Sequence, residues 1–195
     1  MSDRDWLFSL EQIGIKLGLD QIRALLAALG HPDRAYPSLV IAGTNGKGSV
    51  TAMVERGLRA AGYRTGRYTS PHLIALEERF AIDGDSIAHA ELDRLASRIR
   101  AASESLEHPP SFFEATTALA LECFRDAHVG VAVLEVGLGG RLDATKAVAS
   151  TAVGITAIHF DHEAYLGHTL PEIAGEKAGV IKPQGLVVLA QNPDI

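Results

Sequence analysis

A glycine-rich segment around one lysine is a feature of this chain that could carry chemistry. The segment GTNGKGS spans residues 43–49, follows the apolar run SLVIA and precedes apolar residues at helical spacing. Glycines allow a tight turn in which several backbone N–H groups point to one place, and a helix N-terminus adds about half a positive charge. Lys47 adds a full charge that can reach terminal phosphates, and Ser49 offers a hydroxyl near a bound magnesium ion.

The match to the phosphate-loop consensus is incomplete. The strict pattern G-x-x-x-x-G-K-[ST] requires a glycine where Ile41 stands, and Gly48 separates Lys47 from Ser49. The alternative is an ordinary strand-to-helix turn with an exposed lysine, although such turns rarely carry three glycines around a lysine. We predict a phosphate-binding loop that consists of Gly43, Thr44, Asn45, Gly46, Lys47, Gly48 and Ser49.

Further polar residues follow the ends of other apolar runs. Ser70 ends RTGRYTS, Glu135 closes VAVLE, and His162 follows GITAIHF. In an open α/β sheet, ligands bind at the carboxyl ends of the strands. An acid at the end of an apolar strand, beside a phosphate loop, suits magnesium or a water molecule that magnesium holds. Lys177 lies beyond these strands, in the helix-like segment EIAGEKAGVI.

Each of these residues also has an ordinary interpretation. Glu135 can be a simple strand-end acid, His162 a loop histidine, and Lys177 a solvated helix lysine beside Glu176. A zinc site of three histidines is disfavoured, because HEAYLGH places its second histidine too late for the H-E-x-x-H pattern. The histidines of that alternative are His159, His162 and His168.

The elements that must position these residues alternate along the chain. Apolar β-branched runs predict buried strands at SLVIAG, VGVAVLEVG, STAVGITAI and GLVVLA, and RTGRYTS predicts another. Helical spacing predicts helices in LDQIRALLAALG, after the glycine loop, from 88 to 106, from 112 to 127 and in LPEIAGEKAGVI. Strands that alternate with helices predict a doubly wound, mostly parallel α/β sheet.

Composition restricts the class of protein further. The 195 residues carry a net charge of −6, which argues against a nucleic-acid surface because such domains usually have a strong basic patch. The sequence contains no run of 18 apolar residues, so no membrane span is predicted. The start MSDRDWLFSL lacks the basic and then apolar segments of a signal peptide. Cys123 is the single cysteine, so we expect a cytoplasmic protein without an internal disulfide.

Taken together, the motifs resemble the folylpolyglutamate synthases and dihydrofolate synthases of the Mur ligase superfamily. The matching segments span about residues 13–182: GIKLGLDQIRALL, VIAGTNGKGSV, YTSPHL, ERFAIDG, FFEATTALAL, LEVGLGGRLDAT and DHEAYLGHTLPEIAGEKAGVIK. The sequence departs from the family where Lys146 replaces the asparagine of DATN. It also departs at His159 and Phe160, where a smaller aliphatic residue is more common than phenylalanine.

The resemblance implies an ATP-dependent amide ligase. ATP would phosphorylate the carboxylate of dihydropteroate or folate, and the amino group of L-glutamate would attack the acyl phosphate. Residues 1–195 would be part of the N-terminal ATP-binding domain of phosphate-loop type. The C-terminal domain, which completes the ATP site and helps to bind glutamate, is absent from this chain, so we expect the chain alone to be inactive. We expect a monomer with small-molecule substrates and no membrane or nucleic-acid partner.

The resemblance also implies roles for individual residues. Lys47 would act in catalysis together with Glu135, His162 and Lys177, and residues 45–49 would hold the triphosphate. The implied ligands of Mg²⁺, with K⁺ as a second candidate cation, are Ser70, Glu135, His162 and Lys177. Lys177 would be carbamylated by CO₂, which requires a neutral amine and therefore a lowered pKa. The implied loops around the pterin substrate contain Ser111, Phe112, Phe113, Glu114, Leu142, Asp143 and Ala144.

Three alternatives to this function stay open from the sequence. Another Mur-type amide ligase would use the same loop with a different acceptor. A nucleotide-dependent switch module would bind a partner without forming an amide, and it would have no need of an acceptor pocket. A kinase or other phosphotransferase would leave the phosphoryl group on its acceptor.

Overall fold

The computed structural model describes residues 2–183 and 185–191 of the chain. Its strands are β1 (Ser38–Ala42), β2 (Thr65–Tyr68), β3 (Phe80–Ile82), β4 (Asp85–Ser86), β5 (Val131–Glu135), β6 (Ser150–Ile155) and β7 (Leu186–Leu189). Its α-helices are α1 (Asp3–Ser9), α2 (Asp20–Ala28), α3 (Lys47–Ala60), α4 (His89–Ser103), α5 (Phe112–Asp126), α6 (Glu163–Leu166) and α7 (Leu170–Ala178). The strands and helices predicted from the sequence are confirmed, whereas α1 and α6 were not predicted.

The strands of the described residues form one sheet in the order β4-β3-β2-β5-β1-β6-β7. Strands β2, β5, β1, β6 and β7 are parallel, and the hairpin of β3 and β4 adds an antiparallel edge. The predicted mostly parallel α/β sheet is therefore confirmed. The connection from β1 runs past β5 to β2, whereas the connection from β5 runs past β1 to β6. The two connections run in opposite directions along the sheet, so the topological switch point lies between β1 and β5. In open α/β sheets, ligands bind at this switch point.

Helices cover both faces of the sheet. Thr65 and Gly66 are neighbours in β2, and successive side chains in a strand point to opposite faces. The Thr65 hydroxyl donates a 2.6 Å hydrogen bond to Glu55 of α3. At Gly66 a Cβ atom would lie 2.7 Å from the ring of Phe124 in α5. Helix α3 thus covers one face and α5 the other, where it packs against α1, α2 and α4.

Helix α3 differs from its sequence pattern in the side that it buries. The apolar residues Val50, Met53 and Val54 predict the helix, but Met53 is 71% exposed and the buried residues are Thr51 and Glu55. Burial of Glu55 is compensated because its carboxylate accepts the Thr65 hydroxyl and lies 3.6 Å from Arg59. A polar contact therefore joins α3 to the sheet, while Val50 and Val54 are half-buried.

Smaller differences concern the ends of elements. Helix α4 ends at Ser103, three residues before the predicted end at Leu106.

Within the described residues, no helix is both long enough and apolar enough to cross a membrane.

Candidate functional site

The glycine-rich loop leaves the end of β1 along a path that requires Gly43. Gly43 has a φ of +133°, and a Cβ atom there would lie 1.9 Å from the Thr156 Oγ1 atom. The next residue ties the loop to the chain beyond β6, because the Thr44 N–H donates a 2.9 Å hydrogen bond to the Ala157 carbonyl. The Thr44 side chain accepts the His159 N–H and donates to its carbonyl, both at 3.1 Å. The loop is therefore held by β6 on one side.

The loop opens directly into α3. Gly46, with a φ of 80°, precedes the helix, and no side chain caps the first turn. The first N–H groups of an uncapped helix lack internal partners and favour an anion, as does the helix dipole. The Lys47 ammonium folds over the loop and donates a 3.0 Å hydrogen bond to the Thr44 carbonyl. Asn45 and Ser49 are exposed. This geometry fits the predicted phosphate-binding loop, and residues 43–49 are called the cradle below.

Glu135 lies beside the cradle because strand register puts it there. In the parallel pair of β1 and β5, Glu135 is opposite Ile41, two residues before the loop begins. Glu135 is 4% exposed, and its carboxylate accepts the Ser70 N–H at 3.1 Å. A Cβ atom at Gly48 would lie 3.5 Å from the same carboxylate oxygen. The Glu135 carboxylate therefore lies next to both Ser70 and the glycine-rich loop.

The pKa of Glu135 is raised above its ordinary value. Burial is the largest cause, and it is opposed by the hydrogen bond from Ser70 and by the charges of Lys47 and Arg79. A buried carboxylate between two cations fits the prediction of a group that holds a cation or water at the cradle. Its role stays a prediction.

Lys177 is not the solvated lysine that its helical context suggests. Its side chain is 2% exposed and its ammonium donates a 2.9 Å hydrogen bond to the Gly43 carbonyl. Burial lowers the pKa of Lys177 to about 8, with a further contribution from the charge of Lys47, while Asp161 opposes the shift. The lysine of α7 is thereby connected to the first residue of the phosphate cradle.

His162 lies at a more open position. It adopts a left-handed conformation with a φ of 48° immediately before α6, and its side chain is 51% exposed. Its imidazole Nε2 atom lies 3.6 Å from the Asp161 carboxylate. His168 is more exposed still and lies 3.6 Å from Glu163. In residues 2–183 and 185–191, no three His, Cys, Asp or Glu side chains are grouped to hold a metal ion.

A pocket of about 400 Å³ opens next to the cradle. Ser70 and His162 line it. Because the Ser70 N–H also donates to Glu135, the pocket borders on the Glu135 carboxylate. The structure also brings every residue of the two predicted substrate loops to this pocket; these are Ser111, Phe112, Phe113, Glu114, Leu142, Asp143 and Ala144. The residues predicted for phosphate and those predicted for the acceptor thus lie in adjoining parts of the structure.

The two acids of the substrate loops hold the pocket wall in place. Asp143 accepts the N–H groups of Gly137, Leu138 and Thr145 at 2.9–3.0 Å, and the Thr145 hydroxyl at 2.6 Å. Burial raises the pKa of Asp143, and these hydrogen bonds oppose the shift.

Glu114 forms a capping box with Ser111 at the start of α5. It accepts the Ser111 N–H and hydroxyl, both at 2.8 Å. Both acids therefore accept hydrogen bonds from within the wall, Asp143 with both carboxylate oxygens and Glu114 with Oε2.

Two parts of the pocket lining were not predicted from the sequence. Residues 14–18 line one side, and Arg79 lines another. The first segment carries a sequence signal, since Gly14 and Gly18 flank three residues and both have positive φ values. Arg79 carries no such signal, because in the sequence it is an ordinary charged residue before β3. Its importance appears only when its burial is known.

The fold is a doubly wound, mostly parallel α/β domain with a glycine-rich loop after β1, the arrangement typical of phosphate-loop domains. No protein-family model matches the chain. The dihydrofolate synthase/folylpolyglutamate synthase of Bacillus subtilis is 40% identical over 184 residues, which cover 92% of this chain and 43% of that protein.

Solved structures agree with this likeness. Escherichia coli FolC in complex with DHPP and ADP has a TM-score of 0.92 and 35% identity, covering 100% of this chain and 47% of that one. A bifunctional folylpolyglutamate synthase/dihydrofolate synthase with Mn, AMPPNP and L-glutamate bound has a TM-score of 0.90 and 37% identity, with the same coverage. The chain is thus similar to dihydrofolate and folylpolyglutamate synthases and spans about half the length of the relatives it matches.

Proposed function

We propose that this chain is part of an ATP-dependent ligase that joins L-glutamate to the carboxylate of dihydropteroate or folate. Residues 1–195 would supply the ATP-binding domain and the acceptor pocket. The chain spans about half the length of the relatives it matches, so we do not expect residues 1–195 alone to turn over. The sequence similarity to synthases of this class supports the proposal.

The observation that carries the proposal is the contact between two sites. The Ser70 N–H donates to Glu135, which lies against the phosphate cradle at Gly48. Ser70 also lines the pocket whose walls contain the predicted substrate loops. A group that enters the pocket can therefore place a carboxylate next to a phosphate held by residues 43–49. An acyl phosphate requires this proximity between a carboxylate and the terminal phosphate of ATP.

The reaction requires an acyl phosphate because a carboxylate oxygen is a poor leaving group until it is phosphorylated. A carboxylate oxygen would bond to the terminal phosphorus of ATP, whose bond to the bridging oxygen breaks as ADP leaves. The glutamate nitrogen would then bond to the acyl carbon, lose a proton and expel phosphate. The transferred phosphoryl group spreads negative charge over its oxygens, so cations and backbone donors stabilise the transition state. Lys47 and the first N–H groups of α3 are placed to supply both.

The donor set around Glu135 fits a divalent cation in part. A carboxylate and a serine hydroxyl are oxygen donors of the kind that Mg²⁺ prefers, and His162 adds an imidazole at the pocket wall. The protonated amine of Lys177 cannot be a ligand, because an ammonium has no lone pair. We propose Ser70, Glu135, His162 and a carbamylated Lys177 as the ligands. Bound Mg²⁺ would neutralise charge on the phosphate groups, and K⁺ is a further candidate cation.

The experiment uses phosphate release by the full-length protein. Release from ATP should require both a pteroate or folate acceptor and L-glutamate, and an amide product should form. Release that ignores acceptor and glutamate would indicate a nucleotide switch, and a stable phosphorylated acceptor would indicate a kinase. Amide formation with an unrelated acceptor would indicate another Mur-type ligase. Any of these three results would overturn the proposal.

The remaining expectations concern the whole protein. We propose a cytoplasmic monomer, in keeping with the supply of ATP and with a single buried cysteine. Light scattering of the full-length protein with and without ATP tests the oligomeric state.

A further inference from the structure

Arg79 is a buried cation that forms no ion pair within the described residues. It is 7% exposed, and among residues 2–183 and 185–191 no carboxylate lies within ion-pair distance of its guanidinium. Burial of an unpaired charge is costly, so proteins usually pair it with an opposite charge or place it at a functional site. Arg79 lines the acceptor pocket. The missing counter-charge can therefore come from a ligand.

The guanidinium is held in one orientation by its neighbours. Its Nε–H donates a 3.0 Å hydrogen bond to the His72 Nδ1 atom. Its Cζ atom lies 5.1 Å from the centre of the Phe112 ring, a cation–π contact. Phe112 in turn stacks on Phe8 of α1, with ring centres 6.1 Å apart. These contacts use Nε and one face of the plane, while the described residues provide no hydrogen-bond partner for the two terminal nitrogens.

The pocket has little else that could neutralise an anion. The acids Glu114 and Asp143 accept hydrogen bonds within the wall, and Phe112, Phe113 and Leu142 provide apolar surface. Lys16 and His162 also line the pocket, but both side chains are exposed. Arg79 is thus the buried cation of the lining.

The position of Arg79 relates it to the reacting end of the pocket. Its carbonyl accepts the Thr69 N–H at 3.0 Å, and the next residue, Ser70, donates to Glu135. The charge of Arg79 also acts on the Glu135 carboxylate. A carboxylate bound by Arg79 would therefore lie near the contact between cradle and pocket.

We propose that Arg79 is a specificity-determining residue that binds the acceptor's carboxylate in the pocket. The proposal rests on the proposed function. A guanidinium forms two parallel hydrogen bonds with a carboxylate and cannot do so with a neutral amide. The proposed contact would select acceptors with a free carboxylate and orient that group toward the cradle.

The test compares pteroate with its carboxamide, which differ only in the charged group. Dissociation constants of both are measured on the full-length protein by calorimetry, for the wild type, Arg79→Gln and Arg79→Lys. The wild type should bind pteroate roughly ten- to a hundredfold more tightly than the carboxamide. In Arg79→Gln the ratio should fall close to one, mainly through weaker pteroate binding, and Arg79→Lys should lie between the two. The control Arg56→Gln, an exposed change on α3, should keep the wild-type ratio.

A purely structural role for Arg79 predicts another outcome. If Arg79 only supports His72 and Phe112, then Arg79→Gln should weaken both ligands by the same factor and leave their ratio unchanged. That result, or equal binding of the two ligands to the wild type, would overturn the inference and leave the proposed function standing. Failure of the wild type to bind either ligand would overturn the proposed acceptor class, and this inference with it.

Discussion

The ammonium of Lys177 donates a 2.9 Å hydrogen bond to the carbonyl of Gly43, although 134 positions separate the two residues in the sequence. The contact joins α7 to the first residue of the phosphate cradle and removes Lys177 from water. Gly43 itself has a φ of +133°, a conformation that residues with a side chain rarely adopt. The conformation of the cradle and the protonation of Lys177 are therefore physically connected.

Gly43→Ala should destroy the cradle. The new Cβ atom would lie 1.9 Å from the Thr156 side chain, at a φ that L-residues rarely adopt, so the loop must move. We expect loss of measurable ADP binding in calorimetry. The matched control is Gly57→Ala, which lies within α3, meets no atom within 4 Å and should stabilise the protein by about 0.5–1 kcal/mol. Normal ADP binding by Gly43→Ala would contradict the geometry described for the loop.

Lys47→Ala should lower the turnover of the full-length protein by a factor on the order of a hundred or more, since a contact to the transferred phosphoryl group is lost. Substrate dissociation constants should change less than turnover, because the charge on the phosphoryl oxygens is redistributed in the transition state. Steady-state kinetics with saturating ATP measures the effect. Unchanged turnover would remove Lys47 from the mechanism.

Lys177 should make stability depend on pH in the alkaline range. Its pKa is about 8 in the folded chain and 10.5 in the absence of structure, so the unfolded state binds more protons between these values. Stability then rises with pH over this window, by about 3 kcal/mol relative to a variant that lacks the amine. Urea unfolding of the wild type and Lys177→Met from pH 7 to 10.5 should show this difference. The exposed control Lys16→Met should follow the wild-type curve, and parallel curves for Lys177→Met and the wild type would refute the shift.

Carbamylation of Lys177 should be directly visible. The lowered pKa leaves part of the amine neutral near pH 8, which CO₂ addition requires. NMR of the full-length protein in ¹³C-bicarbonate should show a carbamate carbon that disappears in Lys177→Arg. Lys182→Arg, a change at another partly buried lysine, should retain the signal. An identical signal in Lys177→Arg would assign the modification elsewhere, and no signal in the wild type would reject it.

Asp143→Asn should loosen the acceptor pocket. The amide would direct N–H donors at backbone N–H groups that now donate to the carboxylate, at a cost of about 2–3 kcal/mol. Acceptor affinity should fall with the stability, while ADP binding changes little. The exposed change Asp85→Asn in β4 should leave both properties intact. Full stability of Asp143→Asn would show that the carboxylate does not organise the wall.

The elements and the phosphate loop were predictable because their signals are local. Buried parallel strands are apolar runs, the loop is a burst of glycine around Lys47, and α5 starts with a capping box at Ser111. Each depends on neighbours within a few residues. The buried side of α3 was not predictable, because Glu55 is buried through a hydroxyl on β2 and a partner in its own helix.

By itself, the sequence determined the order of strands and helices and the residue types at the strand ends, because these depend on local spacing. Only the tertiary structure decided which strand ends are adjacent. The register that places Glu135 beside Ile41 results from sheet order, which no local pattern encodes. Burial decided the rest: Lys177 and Arg79 read as surface charges, and the structure places both among buried groups, where desolvation changes what a charge can do.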